Sequence, residues 1–275
     1  MKAEAQAGVL TGILREAERR AAAARSERGR LEREAARARA APDFAAALGP
    51  GRGVAVIGEI KRRSPSAGRL AGAAANDAAA LARRLADAGA AALSVLTEPG
   101  HFDGSLEDLA RVAAAVGIPV LRKDFLLDAA QLFEARAAGA SAVLLIARVL
   151  PGERLVELAR VAQDLGLACL VEVHAEAELP PAVAARPAAI GVNARDLDTL
   201  ALDAALVERL IGQVPGDLLA VAESGLATRG DVERVAGCGA DAVLVGTAVS
   251  GAADPAAALR PLLGVERRGR GERSR

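Results

Sequence analysis

Tryptophan and tyrosine are absent from this 275-residue chain, which also holds only four phenylalanines, two cysteines, two histidines and one methionine. Lys+Arg and Asp+Glu number 35 each, so neither sign of charge is in excess. Each scarcity excludes something. A chain without net charge has no strong field to draw nucleic acid or a membrane surface. Cys169 and Cys238 lie far apart and lack CxxC or metal-ligand spacing, which argues against a disulfide framework or a zinc site. Cys169 sits within an apolar run and reads as a buried, inert thiol. His101 and His174 form no ligand cluster with other residues, so no metal is expected. No apolar run reaches spanning length, and the N-terminus lacks the apolar core of a signal peptide. The expectation is a soluble, cytoplasmic protein with neither nucleic acid nor membrane as partner.

What is present is alanine, leucine and valine in short blocks, within a hydrophobic share of 52%. Residues 1–40 read as helix, rich in Ala, Arg and Glu. Beyond Ala17 its apolar stripe is mostly alanine plus Leu31, so this helix must lean on something else or remain partly mobile. Pro42 ends it, and Pro50-Gly51-Arg52-Gly53 reads as a turn. From Val54 onward short apolar strands alternate with amphipathic helices. Asn76 or Asp77 caps the first of these helices, and Ser105-Leu106-Glu107-Asp108 resembles a capping box before the next. Three helix-to-strand joints repeat one another: Ala88-Gly89-Ala90, Ala138-Gly139-Ala140 and Cys238-Gly239-Ala240. Each glycine suits the left-handed residue that ends a helix.

Eight nearly all-apolar strands alternating with helices imply a parallel sheet covered by helices. An open, doubly wound sheet is the rival. Eight similar units with no GxGxxG after the first strand favour α/β closure into a single (β/α)8 TIM barrel with an extra N-terminal helical segment. The division expected is 1–50 as a helical extension packing on the barrel, 51–264 as the catalytic barrel, and 265–275 as a disordered charged tail.

In such barrels the active site lies at the C-terminal ends of the strands. The first strand ends in Glu59 and Lys61, two residues apart and so on one face. The third ends in Lys123, the fifth in Glu172, the sixth in Asn193 followed by Arg195, and the seventh in Glu223. Charges at buried strand ends cost desolvation and are tolerated mainly where chemistry uses them. Lys123 and Glu172 stand out as the acid–base pair. A lysine near another lysine is expected to have a lowered pKa and a half-buried glutamate a raised one. A Lys123 that merely neutralises Glu59 or Glu172 is the plainer alternative. Asp124 and Asp196 suit inter-strand salt links. Ser224-Gly225 and Gly246-Thr247 offer backbone N–H groups and small residues after the last two strands, where barrels often hold phosphate. His101 and His174 fall in loops past strands two and five. Phe102 and Phe125 lie at the mouth, where they suit either an apolar wall for an aromatic substrate or loop packing.

At these residues the chain resembles the indole-3-glycerol-phosphate synthase family. Glu59-Ile60-Lys61-Arg62-Arg63-Ser64-Pro65-Ser66 looks like its first-strand signature. Leu96-Thr97-Glu98 through Ser105, Leu121-Arg122-Lys123-Asp124-Phe125, Leu170-Val171-Glu172-Val173-His174, Asn193-Ala194-Arg195-Asp196-Leu197 and Ala222-Glu223-Ser224-Gly225 continue the match in order. The resemblance implies a carboxy-lyase of tryptophan biosynthesis without a cofactor. It would close 1-(2-carboxyphenylamino)-1-deoxyribulose 5-phosphate, a phosphorylated small molecule, to indole-3-glycerol phosphate with loss of carbon dioxide and water. It implies Lys123 as general acid and Glu172 as the partner in dehydration. Lys61 would bind the carboxylate, with Glu59 and Asn193 positioning groups around it. Ser64, Phe102, Phe125, Arg195, Leu197 and Glu223 would border the substrate. Ser224, Gly225, Gly246 and Thr247 would hold the phosphate. The chain departs from the family pattern at Ala194 and after the eighth strand, Gly246-Thr247-Ala248-Val249-Ser250-Gly251. A phosphoribosyl isomerase and a non-catalytic binding barrel are the rival readings. Oligomeric state stays open, with a monomer favoured.

Overall fold

Every one of the eight apolar runs forms a strand. They are β1 (Ala55–Ile60), β2 (Ala92–Leu96), β3 (Val120–Lys123), β4 (Ala142–Ile146), β5 (Ala168–Val173), β6 (Ala189–Asn193), β7 (Leu219–Glu223) and β8 (Ala242–Val245). In the computed structural model, which describes residues 9–49, 51, 53–70 and 77–269, each strand runs parallel to the next and β8 pairs with β1. The barrel is closed, as expected, and the rival open sheet is excluded. Closure leaves no edge strand with unpaired backbone groups.

Alternation along each strand sorts the core into two. Outward residues such as Val56, Leu93, Val143, Val171 and Ile190 join one cluster with the surrounding helices. Inward residues such as Ile57, Leu121, Leu170, Ala189 and Val221 fill the barrel interior. The same alternation carries on to the strand ends. Glu59, Lys123, Glu172 and Glu223 each lie two residues beyond an inward core residue, so each points into the mouth. Asn193 follows Ala189 and Gly191 in the same way.

The helices that follow the strands are α4 (Ala78–Ala88), α5 (Pro99–Phe102), α6 (Leu106–Ala115), α7 (Ala129–Ala137), α8 (Gly152–Asp164), α9 (Leu179–Ala184), α10 (Ala204–Ile211), α11 (Arg229–Gly237), α12 (Thr247–Ser250) and α13 (Pro255–Leu259). Asp77 caps α4 by accepting the N–H groups of Ala79 and Ala80, while Asn76 lies outside the described residues. Gly89, Gly139 and Gly239 have φ of 110°, 88° and 98°, a left-handed backbone that lets each helix stop and the next strand start. The capping box at Ser105 is only half formed. Its hydroxyl accepts the Asp108 N–H, but the Asp108 carboxylate takes the Arg62 guanidinium and the Ser105 hydroxyl instead of reaching back to the backbone.

The stretch 1–40, read as one helix, is two, α1 (Val9–Ser26) and α2 (Arg28–Arg37), with residues 1–8 outside the described ones, and a third, α3 (Phe44–Leu48), follows Pro42. The alanine-rich stripe leans on α7. Ala24 and Leu31 pack with Ala130 and Phe133, the Arg28 guanidinium lies 5.7 Å from the Phe133 ring centroid, and Arg136 donates to the carbonyls of Ala38 and Arg39. Phe44 and Leu48 of α3 pack with the strand-start residues Ala55, Ala91, Ala168 and Leu219 and close the lower end of the barrel. The tail does not begin free at 265. Glu266 bridges to Gly53, and Arg267 pairs with Asp241 and donates to the Gly49 carbonyl. Among the described residues no helix is long and apolar enough to cross a membrane.

Candidate active site

A cavity of about 530 Å³ opens at the C-terminal ends of the strands, and all fifteen of the residues singled out from sequence line it. At its floor the charged groups form one cluster. Lys123 Nζ stands 2.6 Å from Glu172 Oε2 and 3.2 Å from Glu223 Oε2. Lys61 Nζ stands 2.7 Å from Glu59 Oε1, as the shared strand face requires. Glu59, Glu172 and Glu223 are buried, so their charges interact through a poorly screened medium.

This arrangement reverses the expected pKa pattern. Burial works to lower the Lys123 pKa, but Glu172, Glu223 and Glu59 together outweigh it and hold the ammonium above the usual lysine range. Burial likewise works to raise Glu172, yet Lys123 and His174 pull it well below the usual carboxylate range. The sequence expectation took the neighbouring lysine as the main influence, whereas three carboxylates surround Lys123. The raised glutamate is Glu223. Burial, reinforced by the Glu172 charge and only partly opposed by Lys123, pushes it up to about 8. Its Oε1 is buried without a hydrogen-bond partner. Read from sequence as a substrate contact, Glu223 is thus the third member of the Lys123 cluster.

Two glycines make room for these carboxylates. A Cβ on Gly191 would lie 2.0 Å from Glu223 Oε1, and one on Gly246 would lie 2.1 Å from Glu59 Oε1. Gly246, read from sequence as a phosphate contact, therefore serves the charged floor as well.

The walls follow from local capping. Glu98, fully buried, accepts the N–H groups of Gly100, His101 and Phe102 at 3.0, 2.6 and 3.1 Å. That nucleates α5, so His101 sits in a short helix and not in a loop, and Phe102 turns toward the cavity. Phe102, Phe125 and Leu197 form an apolar wall continuous with the barrel core. Asn193 Oδ1 accepts the Arg195 N–H at 2.9 Å, and Arg195 donates to the Leu200 carbonyl at 2.8 Å, holding the loop after β6. Asp196 accepts the Arg148 guanidinium, which does most to depress its pKa, and the N–H groups of Thr199 and Asp198, which add to it. Ser64, buried, accepts the Ala67 N–H within the short hairpin whose strands are Arg63–Ser64 and Gly68–Arg69. Round the rim from β1 through its neighbour β8 lie the first turn of α12 and then Ser224 and Gly225, with φ of 64° and 70°. Both present backbone N–H groups of the kind that cradle an anion.

Leu10 and Ile13 of α1 also line the cavity, with Leu144, Ile146 and Leu244 from the barrel interior. Reading strand tips alone misses them. Leu10 and Ile13 stand three apart, on one helix face, but nothing in that spacing shows which surface they cover. The salt links expected of Asp124 are present: it accepts Arg20, Arg122, Thr97 and the Phe125 N–H. Cys169 is buried, and burial pushes its thiol up to about 12, as an inert side chain would be.

The sequence matches the family model of indole-3-glycerol phosphate synthase over residues 10–262. It is 51% identical over 225 residues to the indole-3-glycerol phosphate synthase of Nocardioides sp., covering 82% of this chain and 84% of that one. It is 46% identical to the enzyme of the same name from Leifsonia xyli subsp. xyli over 96% of this chain and 100% of the other. Among solved structures, thiamine phosphate pyrophosphorylase from Pyrococcus furiosus superposes with a TM-score of 0.57 at 17% identity, covering 76% of this chain and 93% of that chain. At that identity the likeness speaks to the barrel fold alone.

Proposed function

The chain belongs to the indole-3-glycerol phosphate synthase family, and we propose that Lys123, Glu172 and Glu223 form the acid–base centre of its ring-closing reaction. It acts as a carboxy-lyase on a phosphorylated small molecule. The observation that carries the assignment of roles is the position of Lys123, an ammonium between the buried side chains of Glu172 and Glu223 on the floor of the cavity.

The chemistry balances around these groups. The ring carbon that bears the carboxylate attacks the substrate ketone, and Lys123 donates a proton to the carbonyl oxygen as the carbon–carbon bond forms. Carbon dioxide then leaves, returning its electron pair to the ring and restoring aromaticity. The new hydroxyl departs as water after accepting a second proton, while the adjacent carbon gives one up to form the pyrrole double bond. Glu172 receives that proton, and Glu223, with a pKa near 8, is poised to supply the one the leaving hydroxyl needs. Each turnover therefore takes up one net proton from solvent. Lys61, neutralised by Glu59 until substrate arrives, meets the substrate carboxylate before it is lost. Phe102, Phe125 and Leu197 flank the aromatic ring, and Asn193, Arg195 and Ser64 hold the loops around it. Ser224, Gly225, Gly246 and Thr247 take the phosphate at the far end, which keeps the ketone over Lys123.

We infer further that the extension at 1–50 and the barrel at 51–264 act as one unit, because Leu10 and Ile13 complete the cavity wall. A formal charge of zero gives no pull toward nucleic acid, and the reading is of a cytoplasmic monomer without a cofactor. Purified protein given the anthranilate-derived ribulose phosphate is expected to form a product with indole fluorescence. Binding without turnover would overturn the enzymatic reading. Lys123→Ala is expected to lower kcat by at least about 100-fold; near-normal turnover would remove only the role given to that residue.

A further inference from the structure

We propose that His174 is the positioning residue for Glu172, an imidazolium wedged behind the carboxylate that keeps it anionic and aimed at Lys123 while Lys123 gives up its proton. The proposal rests on the acid–base roles assigned above.

The geometry has three parts. His174 follows β5 directly, and its side chain is 1% exposed. Its Nε2 lies 3.1 Å from Glu172 Oε1, an ion-pair distance without hydrogen-bond alignment, so that both ring nitrogens are buried beside carboxylates and bonded to neither, while Lys123 holds the other oxygen, Oε2. Glu172 therefore stands between two cations, one on the cavity side and one behind. On its other side His174 Nδ1 lies 3.7 Å from Glu178 Oε2. Glu178 is fixed in turn by the Arg148 Nε at 2.9 Å, and Arg148 reaches Asp196 at 2.7 Å. The ring so ties the reacting carboxylate to the loop after β6 that carries Arg195 and Leu197.

The charges around the ring favour its cationic form. Glu172 faces it from β5 and Glu178 from the turn before α9. Glu176, Asp196, Asp203 and Arg209 line with it a separate cavity of about 280 Å³ on the outer side of the mouth. Acidic groups outnumber basic ones there. Burial works to lower the His174 pKa, but the two glutamates outweigh it and push it up to about 9.

The need for such a cation arises during the reaction. Once Lys123 has given its proton to the substrate, Glu172 loses its closest counter-charge. A buried carboxylate without a partner would take up a proton, and could then no longer accept one from the substrate. His174 does not touch the cavity, so it keeps its charge while Lys123 changes. A purely structural role would reside in the backbone, where the His174 N–H donates to Glu178 Oε2 at 2.6 Å. That bond survives replacement of the ring.

The chain has only two histidines, so ¹⁵N-histidine labelling of the wild-type protein resolves both rings by NMR, with His101→Gln assigning them. The His174 ring is expected to be doubly protonated at pH 7.5 and to titrate near 9; a neutral ring at pH 7.5 overturns the proposal. In steady-state kinetics His174→Gln is expected to lower kcat by roughly tenfold or more with little change in KM. The acid limb of the kcat profile should move to higher pH in that variant, and Glu178→Gln should lower the pH at which the His174 ring titrates. An unchanged profile, or a loss of kcat with the limb in place, would also overturn it. Should His174→Gln fail to fold, the wild-type titration still decides. Absence of wild-type turnover would sink the functional reading, while the titration separately reports the charge on His174.

Discussion

Gly191 and Gly246 carry no side chain because two carboxylates occupy the space where one would stand. The atoms in the way, Glu223 Oε1 and Glu59 Oε1, are the free ends of side chains, so an added methyl would push them aside without disturbing the backbone. Gly191→Ala is therefore expected to cost activity and not fold, with kcat down by about tenfold or more and unfolding free energy within about 1 kcal/mol of wild type. Parallel turnover and urea-denaturation measurements check this; a large stability loss with normal kcat would contradict it. At this scale the sequence was informative about which residues meet and silent about their charge. Lys123, Glu172 and Glu223 could be assigned to strand tips from spacing alone. Whether Lys123 sits nearer another lysine or nearer glutamates depends on the order of strands around a closed barrel, which spacing along one strand does not carry. The reversed pKa pattern, and the move of Glu223 from the substrate wall to the acid–base cluster, both come from that.

Elements were legible in proportion to their length and periodicity. Eight apolar runs with alternating faces define eight strands, and three repeated Gly-Ala joints mark the starts of β2, β4 and β8. Helices of four residues, such as Pro99–Phe102 and Thr247–Ser250, have no periodicity to detect; the first exists because Glu98 collects three backbone N–H groups. The break at Glu27 between α1 and α2 leaves only a faint mark, Ser26 and Gly29 beside it, within a run of Glu, Arg and Ala that favours helix. What fastens this segment to the barrel is partly polar. Arg20 Nη1 donates to both oxygens of Asp124, at 2.9 and 2.8 Å, and Asp124 is buried immediately after Lys123. Burial works against its charge, and Arg122 and Arg20 hold its pKa below the usual range. Arg20→Ala leaves that carboxylate to Arg122, Thr97 and one backbone N–H. The expected loss is about 1–3 kcal/mol of unfolding free energy by urea denaturation, together with a fall in kcat as the Lys123 end of β3 loosens. A variant as stable and as active as wild type would show that the extension is held by its apolar face alone.

At the scale of the whole molecule the buried charges give stability a direction in pH. Of the groups that hold protons more tightly folded than unfolded, two titrate between pH 4 and pH 9: His174, raised from 6.5 to about 9, and Glu223, raised from 4.5 to about 8. Stability that depends on a raised pKa is fully present below the ordinary value and is lost as pH climbs through the folded one. Glu223 thus lowers stability with rising pH from 4.5 to 8, and His174 does so from 6.5 to 9. The slopes overlap between 6.5 and 8, where unfolding releases up to two protons, so the decline should be steepest there. Glu172 and Asp124 act oppositely: their pKa values are depressed, so their contribution is present above the ordinary carboxylate range and is lost as pH falls below it. The maximum is accordingly expected on the acid side of neutrality. Calorimetric Tm values taken from pH 4 to pH 10 should rise to a maximum near pH 5–6 and then fall through pH 8. His174→Gln should flatten the part of that decline above pH 6.5 and leave the Glu223 part in place. A Tm that is level from pH 6 to pH 9 would mean that neither group holds its proton in the folded barrel, and that the cluster at the mouth carries more negative charge than the distances around Lys123 and His174 imply.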